Sequence, residues 1–402
     1  MPLRKLSDID TSKLKGRKIL MRVDFNVPLK DGKITEDSRI RKVLPTIHYF
    51  IDHGAAVILM SHLGRPKGVV DETLRLDPVA KRLEELLGRP VKKMNDCVGL
   101  EVMHAKEALQ PGDVLLLENT RFYLPETENL RPFAGELAHG CDLFVQEAFG
   151  TIHRAHASTE GVAHFLPSVK GFLVEKEVEM LKKAFDQAEH PFTLIIGGAK
   201  IDTKIGIIRN FLSIADNILI GGGLANTFLY AKGLGVGESL CQKDKADAAR
   251  QILMEAGEQK CRILLPKDVV VATEVSSNTA TKVIPREEVQ ANEKILDIGP
   301  QTIKNFKEVI TDSKLIIWNG PMGLFEYSPF AEGTRQIAFA LRDSKAVTIL
   351  GGGDTVDALM AFDISEESFT HVSTGGGAML EFLEGKVLPG LVVLREQVDL
   401  DW

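Results

Sequence analysis

The sequence predicts an α/β protein with two domains of mostly parallel sheet joined by a helix. Short apolar, β-rich runs alternate with helix-like stretches along almost the whole chain, a pattern typical of βαβ units. The 402 residues are too many for one ordinary hydrophobic core, so two or three domains are expected. The loops after the apolar runs are rich in charged residues in the first half and in glycine in the second half.

The composition is that of a soluble globular protein, with 44% hydrophobic and 26% charged residues. A net charge of −7 argues against a surface that binds nucleic acid. Apolar runs such as 55–60 are far shorter than the roughly 18 residues of a membrane span, and no leader typical of export opens the chain. The four cysteines are far apart and lack metal-ligand spacing, which predicts reduced thiols in a cytoplasmic protein.

Ten runs are predicted to be strands, and one long segment between them is predicted to be a helix. The strands are 18–23, 55–60, 113–117 and 141–145 in the first half, and 192–196, 217–220, 262–265, 314–318, 346–350 and 369–372 in the second half. In 172–187, apolar residues recur at three- and four-residue spacing, and the segment ends just before His190-Pro191. This amphipathic helix is predicted to connect the two domains.

Charged and hydrogen-bonding side chains follow all four strands of the first half. They are Arg22, Asp24, Asn26 and Arg39, then His62 and Arg65, then Arg121, and then His153, Arg154 and His156. In open α/β sheets the ligand binds beyond the carboxyl ends of the strands, and the planar guanidinium group suits phosphate and carboxylate. Any one arginine is explained as well by a surface ion pair. Arginines at four consecutive strand ends favour a site for a small, multiply anionic ligand.

Glycine-rich loops follow the strands of the second half. They are 197–204, 221–223, 319–323, 351–355 and 373–377. Glycine lets the backbone approach a phosphate closely, and a helix that begins there offers free N–H groups. Lys200 and Lys204 are spaced to lie on one helical face, and Asp354 is a candidate partner for a nucleotide-bound magnesium ion. The glycines are also explained by tight turns, but five such loops with two lysines and an acid favour a nucleotide site.

Neither GxxxxGK[ST] nor GxGxxG occurs in these loops, which disfavours a P-loop enzyme and a simple dinucleotide dehydrogenase.

Sequence motifs along nearly the whole chain resemble those of the phosphoglycerate kinase family. They include RVDFNVP (22–28), SHLGRP (61–66), LLLENTRF (115–122), AFGTIHRAHAST (148–159), GGAKIDTK (197–204), IGGGLANTF (220–228), DIGPQT (297–302), WNGPMGLFE (318–326), GGGDT (351–355) and HVSTGGGAMLEFLEGKVLPG (371–390). The blocks stand in the order expected for the family. Together they are far more specific than any single short motif.

The resemblance implies two Rossmann-like three-layer domains joined by a helix and a hinge. The expected parts are a 3-phosphoglycerate-binding domain at 1–171, the connecting helix at 172–187, a nucleotide-binding domain at 188–385, and a tail at 386–402 that packs back on the first domain. The implied reaction is reversible phosphoryl transfer between ATP and 3-phosphoglycerate in glycolysis and gluconeogenesis, with Mg²⁺ required. The resemblance also implies a cytoplasmic monomer that binds neither nucleic acid nor a membrane.

The resemblance assigns roles to individual residues. Those expected to bind 3-phosphoglycerate are Asp24, Phe25, Asn26, Arg39, His62, Leu63, Gly64, Arg65, Arg121 and Arg154. Those expected to bind the nucleotide are Lys204, Glu326, Gly352, Gly353, Asp354 and Thr355, with Glu326 on the ribose and Asp354 addressing the nucleotide-bound Mg²⁺. The sequence departs from the family pattern at Asp202 and Asp357, where smaller or apolar residues are expected.

Phosphoryl transfer needs in-line placement and neutralisation of charge more than covalent chemistry. We assign that neutralisation to Arg39 and Lys200. The acceptor would be the substrate's own carboxylate, so no nucleophilic side chain or general base is required. Two alternatives stay open: an oxidoreductase that binds a dinucleotide in the glycine loops, and a non-catalytic ligand-binding or scaffolding protein descended from a kinase.

Overall fold

The chain divides into two compact units, each built on its own sheet. A computed structural model describes residues 5–199, 201–202 and 204–395. The first unit extends to Glu179 and takes up the chain again from Val387, and the second unit is Met180–Lys386. None of the helices in the described part of the chain is long and apolar enough to cross a membrane.

The first unit is built on a six-stranded parallel sheet. Its strands are β1 Lys18–Arg22, β2 Leu29–Lys30, β3 Lys33–Ile34, β4 Ala56–Met60, β5 Lys92–Lys93, β6 Val114–Leu116, β7 Leu143–Gln146 and β8 Ser168–Lys170. The sheet order is β5-β6-β4-β1-β7-β8, while β2 and β3 form a separate antiparallel pair. The strand order therefore reverses at β1: β4 and β6 lie on one side of it, and β7 and β8 lie on the other. Such a switch point is where α/β sheets bind ligands.

Helices cover both faces of this sheet. They are α1 Ser38–Arg41, α2 Leu44–Asp52, α3 Asp77–Leu87, α4 Leu100–Glu107, α5 Leu124–Thr127, α6 Arg131–Ala138 and α7 Phe172–Asp186. Alternate residues of β1 join different apolar clusters: Ile19 and Met21 pack with Phe50, and Leu20 packs with Leu137. Because successive side chains of a strand point to opposite faces, the sheet is buried on both sides in a three-layer arrangement.

The second unit repeats this plan and adds a small antiparallel sheet. Its strands are β9 Phe192–Ile196, β10 Asn217–Ile220, β11 Arg262–Leu264, β12 Asp268–Ala272, β13 Lys282–Pro285, β14 Lys294–Ile298, β15 Leu315–Asn319, β16 Val347–Gly351 and β17 His371–Val372. The parallel sheet has the order β11-β10-β9-β15-β16-β17, and the antiparallel one has the order β13-β12-β14. Here the switch point is at β9, between β10 and β15.

The second unit also carries helices on its sheet, and the chain then returns to the first unit. The helices are α8 Ile205–Phe211, α9 Gly222–Ala231, α10 Ala246–Glu258, α11 Pro300–Asp312, α12 Glu332–Arg342, α13 Gly353–Ala361 and α14 Gly377–Leu383, followed in the first unit by α15 Pro389–Val392. The returning segment is held by a hydrogen bond from the Gly390 N–H to the Ile152 carbonyl (3.0 Å). Val393 and Leu394 are buried in the apolar cluster that contains Phe144.

The predicted α/β fold class is confirmed, and all ten predicted strands occur within two residues of their predicted bounds. The helix predicted at 172–187 is α7. Four features were not predicted: β5, β8, the β2–β3 hairpin and the β12–β14 sheet. The first three are only two or three residues long per strand and lack an apolar run. In the β12–β14 sheet, β13 (KVIP) is only four residues long and is exposed at three of them, so it lacks the long apolar run of a buried strand.

Glu147 fixes the start of α7. It follows β7 and is fully buried. Its carboxylate accepts hydrogen bonds from the N–H groups of Leu173 (3.0 Å) and Val174 (3.5 Å) and from the Thr46 hydroxyl. Free N–H groups in the first turn of a helix require such partners. Burial raises the pKa of Glu147 to about 7, although these hydrogen bonds favour its charged form.

We expect Glu147→Gln to flatten the pH dependence of stability. The folded chain favours the protonated carboxyl, whereas the unfolded chain titrates near 4.5. The contribution of Glu147 to stability is therefore fully present below pH 4.5 and is lost as the pH rises through 7, by up to about 3 kcal/mol. Urea unfolding of both proteins at pH 5 and pH 8 measures the difference.

Glu118→Gln is the matched control, because Glu118 is similarly buried but paired with Arg75 (3.0 Å) and Lys93 (2.6 Å). Its loss should lower stability at both pH values. An unchanged pH slope in Glu147→Gln would contradict the assignment.

Candidate active site

A buried arginine lies at the centre of the carboxyl edge of the first sheet. Arg22, the last residue of β1, is inaccessible to solvent. Its Nε donates to the Ser158 hydroxyl (2.8 Å), its Nη1 donates to the Val23 carbonyl, and its Nη2 lies 3.1 Å from His62 Nδ1. The guanidinium group thus joins the ends of β1 and β4 to the segment that follows β7.

Asp24 and His62 hold the next arginine of this edge. Arg39 Nη1 donates to Asp24 Oδ2, and His62 Nδ1 lies 3.6 Å from Asp24 Oδ1. Burial, together with the charges of Arg22 and Arg121, holds the pKa of His62 well below its usual range. His62 is therefore a neutral imidazole at physiological pH. The side chain of Arg39 remains about one-third exposed, so part of its guanidinium group faces solvent.

Arg121, which follows β6, is held by the loop that follows β4. Its Nη1 donates to the Gly64 carbonyl (3.0 Å), and the Gly64 N–H donates to Asn26 Oδ1 (2.8 Å). Gly64 has a φ of 63°, and a Cβ there would overlap the Leu74 side chain, so only glycine fits. Burial, and then the charges of Arg22 and Arg154, lower the pKa of Arg121 to about 10. Its Nε is buried without a hydrogen-bond partner in the described part of the chain.

The two outer arginines of this edge differ from the inner ones in exposure and in contacts. Arg65 and Arg154 are exposed, and neither guanidinium group forms an ion pair or hydrogen bond with the residues that the structure describes. His156 is mostly buried, and burial and Arg121 lower its pKa to about 3. The edge therefore carries more positive charge than its carboxylates balance. Such a surface suits an anionic ligand with more than one charged group.

Phe25 and Leu63, both predicted to bind substrate, have their side chains in the hydrophobic core. Only their backbone atoms are at this edge, and the Phe25 N–H already donates to the Ser61 hydroxyl (2.9 Å).

In the second unit, the carboxyl ends of β9, β15 and β16 surround a cavity of about 330 Å³, the polar cavity. It is lined by Gly198, Ala199, Lys204, Asn319, Gly320, Gly352, Gly353, Asp354, Thr355, Gly376, Gly377 and Leu380. The α13 and α14 helices begin at this cavity, at Gly353 and Gly377. Five of the six residues predicted to bind nucleotide are among its lining.

Lys204 and Asn319 connect the loops around the polar cavity. The Lys204 ammonium donates to Asn319 Oδ1, and Asn319 Nδ2 donates to the Gly351 carbonyl (2.6 Å). The Thr355 hydroxyl accepts from the Gly320 N–H (2.8 Å). Burial lowers the pKa of Lys204 to about 8, partly offset by the charge of Asp354. Lys204 is therefore cationic at neutral pH but loses its proton in mildly alkaline solution.

The glycines of these loops have two distinct roles. A Cβ at Gly197 would overlap the Pro321 carbonyl, and one at Gly222 would lie 2.8 Å from the Gly198 nitrogen. These glycines allow the loops to pack against one another. A Cβ at Gly353 would meet no atom within 4 Å, so no protein contact requires glycine there. Gly353 begins α13, where the free N–H groups of a helix attract anions.

A second cavity of about 460 Å³, the apolar cavity, adjoins the first. The two share Gly198, Ala199 and Asp354. Its walls are mainly glycine and aliphatic residues, with the polar side chains of Asn226, Glu238, Lys294, Asp297 and Glu326 among them. The predicted nucleotide residue Glu326 lines this cavity rather than the polar one. A ligand with a flat apolar part and a charged part fits the two cavities together.

Asp297 supports one wall of the apolar cavity. It is the fourth residue of β14 and is buried, and its carboxylate accepts from the N–H groups of Gly333 (2.6 Å) and Ile298 (2.8 Å). Burial raises its pKa to about 8. The Thr334 hydroxyl, next to Gly333 at the start of α12, accepts from the Met322 N–H (3.0 Å). The cavity wall is thus tied to the first turn of a helix.

Sequence reasoning singled out most residues of the two sites but assigned no role to several buried ones. It listed Arg22 among the strand-end charges without identifying it as the central buried charge. It also did not identify Asn319, Asn226 and Asp297 as cavity residues, although each lies in a motif that carries the family resemblance. The predicted catalytic residue Lys200 lies outside the described residues. The departures at Asp202 and Asp357 differ in setting: Asp202 accepts from Gln242 Nε2 (2.7 Å), and burial raises the pKa of Asp357.

The residues around the polar cavity fit magnesium as a companion of an anionic ligand. In the described part of the chain, no group of three histidine, cysteine, aspartate or glutamate residues could hold a metal ion. Asp354 alone offers a carboxylate to both cavities. A magnesium ion typically uses one or two carboxylates and takes its remaining ligands from phosphates and water.

The fold and the two sites define a two-unit α/β protein with a cationic edge in one unit and a glycine-lined anion cavity in the other. The family model described as phosphoglycerate kinase matches residues 8–386. Two curated phosphoglycerate kinases are 52% identical: that of Dictyoglomus turgidum over 99% of this chain and 100% of its own length, and that of Moorella thermoacetica over 96% and 98%. The chain belongs to the phosphoglycerate kinase family.

Solved structures agree with this membership. The phosphoglycerate kinase of Coxiella burnetii superposes with a TM-score of 0.88 at 40% identity, covering 98% of this chain and 99% of that one. The phosphoglycerate kinase of Pyrococcus horikoshii superposes with a TM-score of 0.84 at 34% identity, covering 97% and 98%.

We expect Lys204 to make the polar cavity's affinity for polyphosphate depend on pH. The charge of Lys204 is present below about pH 8 and is lost above it. Calorimetric titration with tripolyphosphate measures the affinity at pH 7 and at pH 9. The ratio of the pH 7 affinity to the pH 9 affinity should be smaller in Lys204→Gln than in the native protein, by up to about tenfold. Comparing the ratios cancels the ionisation of the ligand itself.

Lys294→Gln is the matched control, because Lys294 lines only the apolar cavity and is paired with Glu238 (3.0 Å). An affinity ratio that is the same in the native protein and in Lys204→Gln would refute the role of Lys204.

Proposed function

We propose that this chain catalyses reversible phosphoryl transfer between ATP and 3-phosphoglycerate, giving ADP and 1,3-bisphosphoglycerate, in glycolysis and gluconeogenesis. Membership of a family named for this kinase activity supports the proposal. The structural observation that carries it is the unbalanced positive charge of the first unit's edge, where Arg65 and Arg154 have no protein partner in the described part of the chain. A ligand with both a phosphate and a carboxylate would balance that charge.

The 3-phosphoglycerate would bind at the carboxyl edge of the first sheet. Arg65, Arg121 and Arg154 would pair with its anionic groups, and Arg39 would reach its reacting carboxylate. The proposed supporting residues are Asp24, Asn26 and His62, with Phe25, Leu63 and Gly64 contributing through their backbone. The existing contacts of Asp24 with Arg39 and of Arg121 with Gly64 support this division, because they orient the arginines before any ligand arrives.

The nucleotide would bind across the two cavities of the second unit. Its phosphates would lie in the polar cavity, against Lys204 and the segment Gly352–Thr355, and its base in the apolar cavity. Glu326 would accept from the ribose hydroxyls. Asp354 would face the Mg²⁺ that arrives with the nucleotide, and that ion would neutralise charge on the phosphates.

In the proposed reaction, an oxygen of the substrate carboxylate attacks the terminal phosphorus of ATP in line with the leaving ADP oxygen. The carboxylate is already ionised at neutral pH, so the chain needs to supply no general base. Arg39 would stabilise charge on the transferring group, and Lys200 remains a prediction from the sequence for the same role. Because the reacting atoms must come within about 3–3.5 Å, closure at a hinge is part of the proposal.

The proposal includes a cytoplasmic, monomeric enzyme whose partners are small molecules. The widely spaced free cysteines support the cytoplasmic location, and the acidic net charge argues against nucleic acid as a partner. A coupled assay of ATP consumption with 3-phosphoglycerate tests the activity directly. An absence of turnover would favour the non-catalytic alternative, and hydride transfer from a nicotinamide cofactor would favour the oxidoreductase.

Arg39→Ala should lower kcat about 10²–10³-fold while changing either KM much less, because its contact strengthens in the transition state. Arg41→Ala is the control: Arg41 is on the same short helix but is paired with Asp37 (2.7 Å) and more exposed. Steady-state kinetics of both variants decide the matter. Near-normal turnover in Arg39→Ala would remove Arg39 from the mechanism.

Arg65→Ala should weaken 3-phosphoglycerate binding by about 1.5–3 kcal/mol, the usual size of a charged hydrogen bond, and leave ADP binding unchanged. Its exposure and lack of partners make a folding defect unexpected. Arg89→Ala serves as control, since Arg89 donates to the Gly112 carbonyl (3.0 Å) far from the strands' carboxyl ends. Calorimetry that showed weaker ADP binding instead would mean that the ligands are assigned to the wrong units.

A further inference from the structure

Asn119 is a buried residue of the first unit's edge to which the proposed function gives no role. It stands between the end of β6 and Arg121 and is inaccessible to solvent. Its Nδ2 donates to the carbonyls of Leu63 (2.8 Å) and Leu74 (3.0 Å), and its Oδ1 accepts from the Arg121 N–H (3.1 Å). One side chain thus connects the loop after β6 with two points of the segment between β4 and α3.

These hydrogen bonds fix the orientation of the Asn119 amide. Exchanging its oxygen and nitrogen would place the oxygen against two carbonyl acceptors and the amino group against an N–H donor. Among side chains of this size, only asparagine supplies both an acceptor and two donors, since aspartate lacks the donors and leucine lacks both. The contacts therefore require asparagine at this position.

The two segments that Asn119 connects are the ones that orient Arg121. Asn119 holds the backbone N–H of Arg121, and the Arg121 guanidinium donates to the carbonyl of Gly64 (3.0 Å), the residue after Leu63. A Cβ on Gly64 would lie 2.8 Å from the Leu74 side chain, so Leu74 packs directly against this turn. The backbone of Arg121 and the partner of its guanidinium thus both depend on contacts of Asn119.

We propose that Asn119 is a positioning residue for 3-phosphoglycerate, which holds Arg121 and the turn at Leu63 and Gly64 in their binding geometry before the ligand arrives. The proposal rests on the proposed function, because it takes Arg121 to pair with an anionic group of that substrate. Ordering a long arginine side chain on binding costs affinity, and a guanidinium oriented beforehand avoids that cost. Since Asn119 is inaccessible to solvent, it acts through Arg121 rather than by touching the ligand.

Calorimetric titration of the full chain with 3-phosphoglycerate and with magnesium ADP tests the proposal. Asn119→Ala should bind 3-phosphoglycerate about tenfold more weakly, near the lower end of the effect of losing one charged hydrogen bond, and should bind ADP as the native protein does. A purely structural role would lower stability and leave both affinities of the folded variant unchanged. That result would overturn the proposal.

A double-mutant cycle shows whether Asn119 acts through Arg121. In an Arg121→Ala background, adding Asn119→Ala should weaken 3-phosphoglycerate binding by only about twofold or less, because the residue that it positions is gone. In an Arg154→Ala background the effect should stay about tenfold, because Arg154 is exposed and is not bonded to Asn119. An undiminished effect in the Arg121→Ala background would contradict positioning through Arg121.

Asn217→Ala is the matched control. Asn217 is also a buried asparagine with an engaged amide, but it lies in the second unit, where it donates to Thr193 (3.3 Å) and accepts from Arg262 (2.9 Å). This variant should lose stability and keep the native affinity for 3-phosphoglycerate. A tenfold loss of that affinity in Asn217→Ala as well would show a general effect of destabilisation and overturn the proposal.

Amide hydrogen exchange of the native protein, followed by NMR, covers the case in which Asn119→Ala does not fold. The Arg121 N–H should exchange slowly before any 3-phosphoglycerate is added, because Asn119 already accepts it. Fast exchange that slows only with the ligand would show that the ligand orders this segment and would overturn the proposal. A native protein that bound no 3-phosphoglycerate would instead refute the proposed function itself.

Discussion

Both candidate sites depend on one constraint, the burial of a parallel sheet on both of its faces. Strands such as β1 and β9 have no solvent-facing side, and the residues at the middle of β1 and nearly all of those in β9 are apolar. Ligand-binding groups can therefore stand only at the ends of the strands, where the loops begin. Both sheets reverse their strand order at the central strand, which opens a crevice at the carboxyl edge. The same architecture thus prepares two sites, and the loop sequences alone make them different.

The two sites attract anions by different physical means. At the first edge, full positive charges are brought together, and burial, followed by the charges of Arg22 and Arg154, lowers the pKa of Arg121. Anchors such as Ser158 and Asp24 fix the inner guanidinium groups, and the outer ones stay unpaired. At the polar cavity, backbone N–H groups at a helix start and one partly desolvated lysine replace the arginines. A full-charge site suits a small anion with two charged ends, whereas a dipole-lined site suits a chain of phosphates close to the backbone.

The sequence predicted the strands and the loop residues because both leave a local signal. Apolar runs mark buried strands, and arginine or glycine directly after a run marks its end. Roles that arise from contacts between distant segments left no such signal. Asn319 is 115 residues from Lys204, to which it is bonded, and Asp297 meets Gly333 across 36 residues. The glycines carried a mixed signal, since Gly197 serves packing and Gly353 does not.

Perturbed pKa values are poor guides to the reacting groups of this protein. The raised pKa values of Glu147 and Asp297 share one origin: each acid is buried, and each accepts from at least one N–H group in the first turn of a helix. Their role is to position helices, and the reaction proposed here needs no proton transfer from the chain. Charged side chains that have no protein partner are better guides to the ligand-binding residues of such an enzyme. Arg65 and Arg154 are exposed and lack protein partners in the described part of the chain, which is why the proposed function assigns them to a ligand.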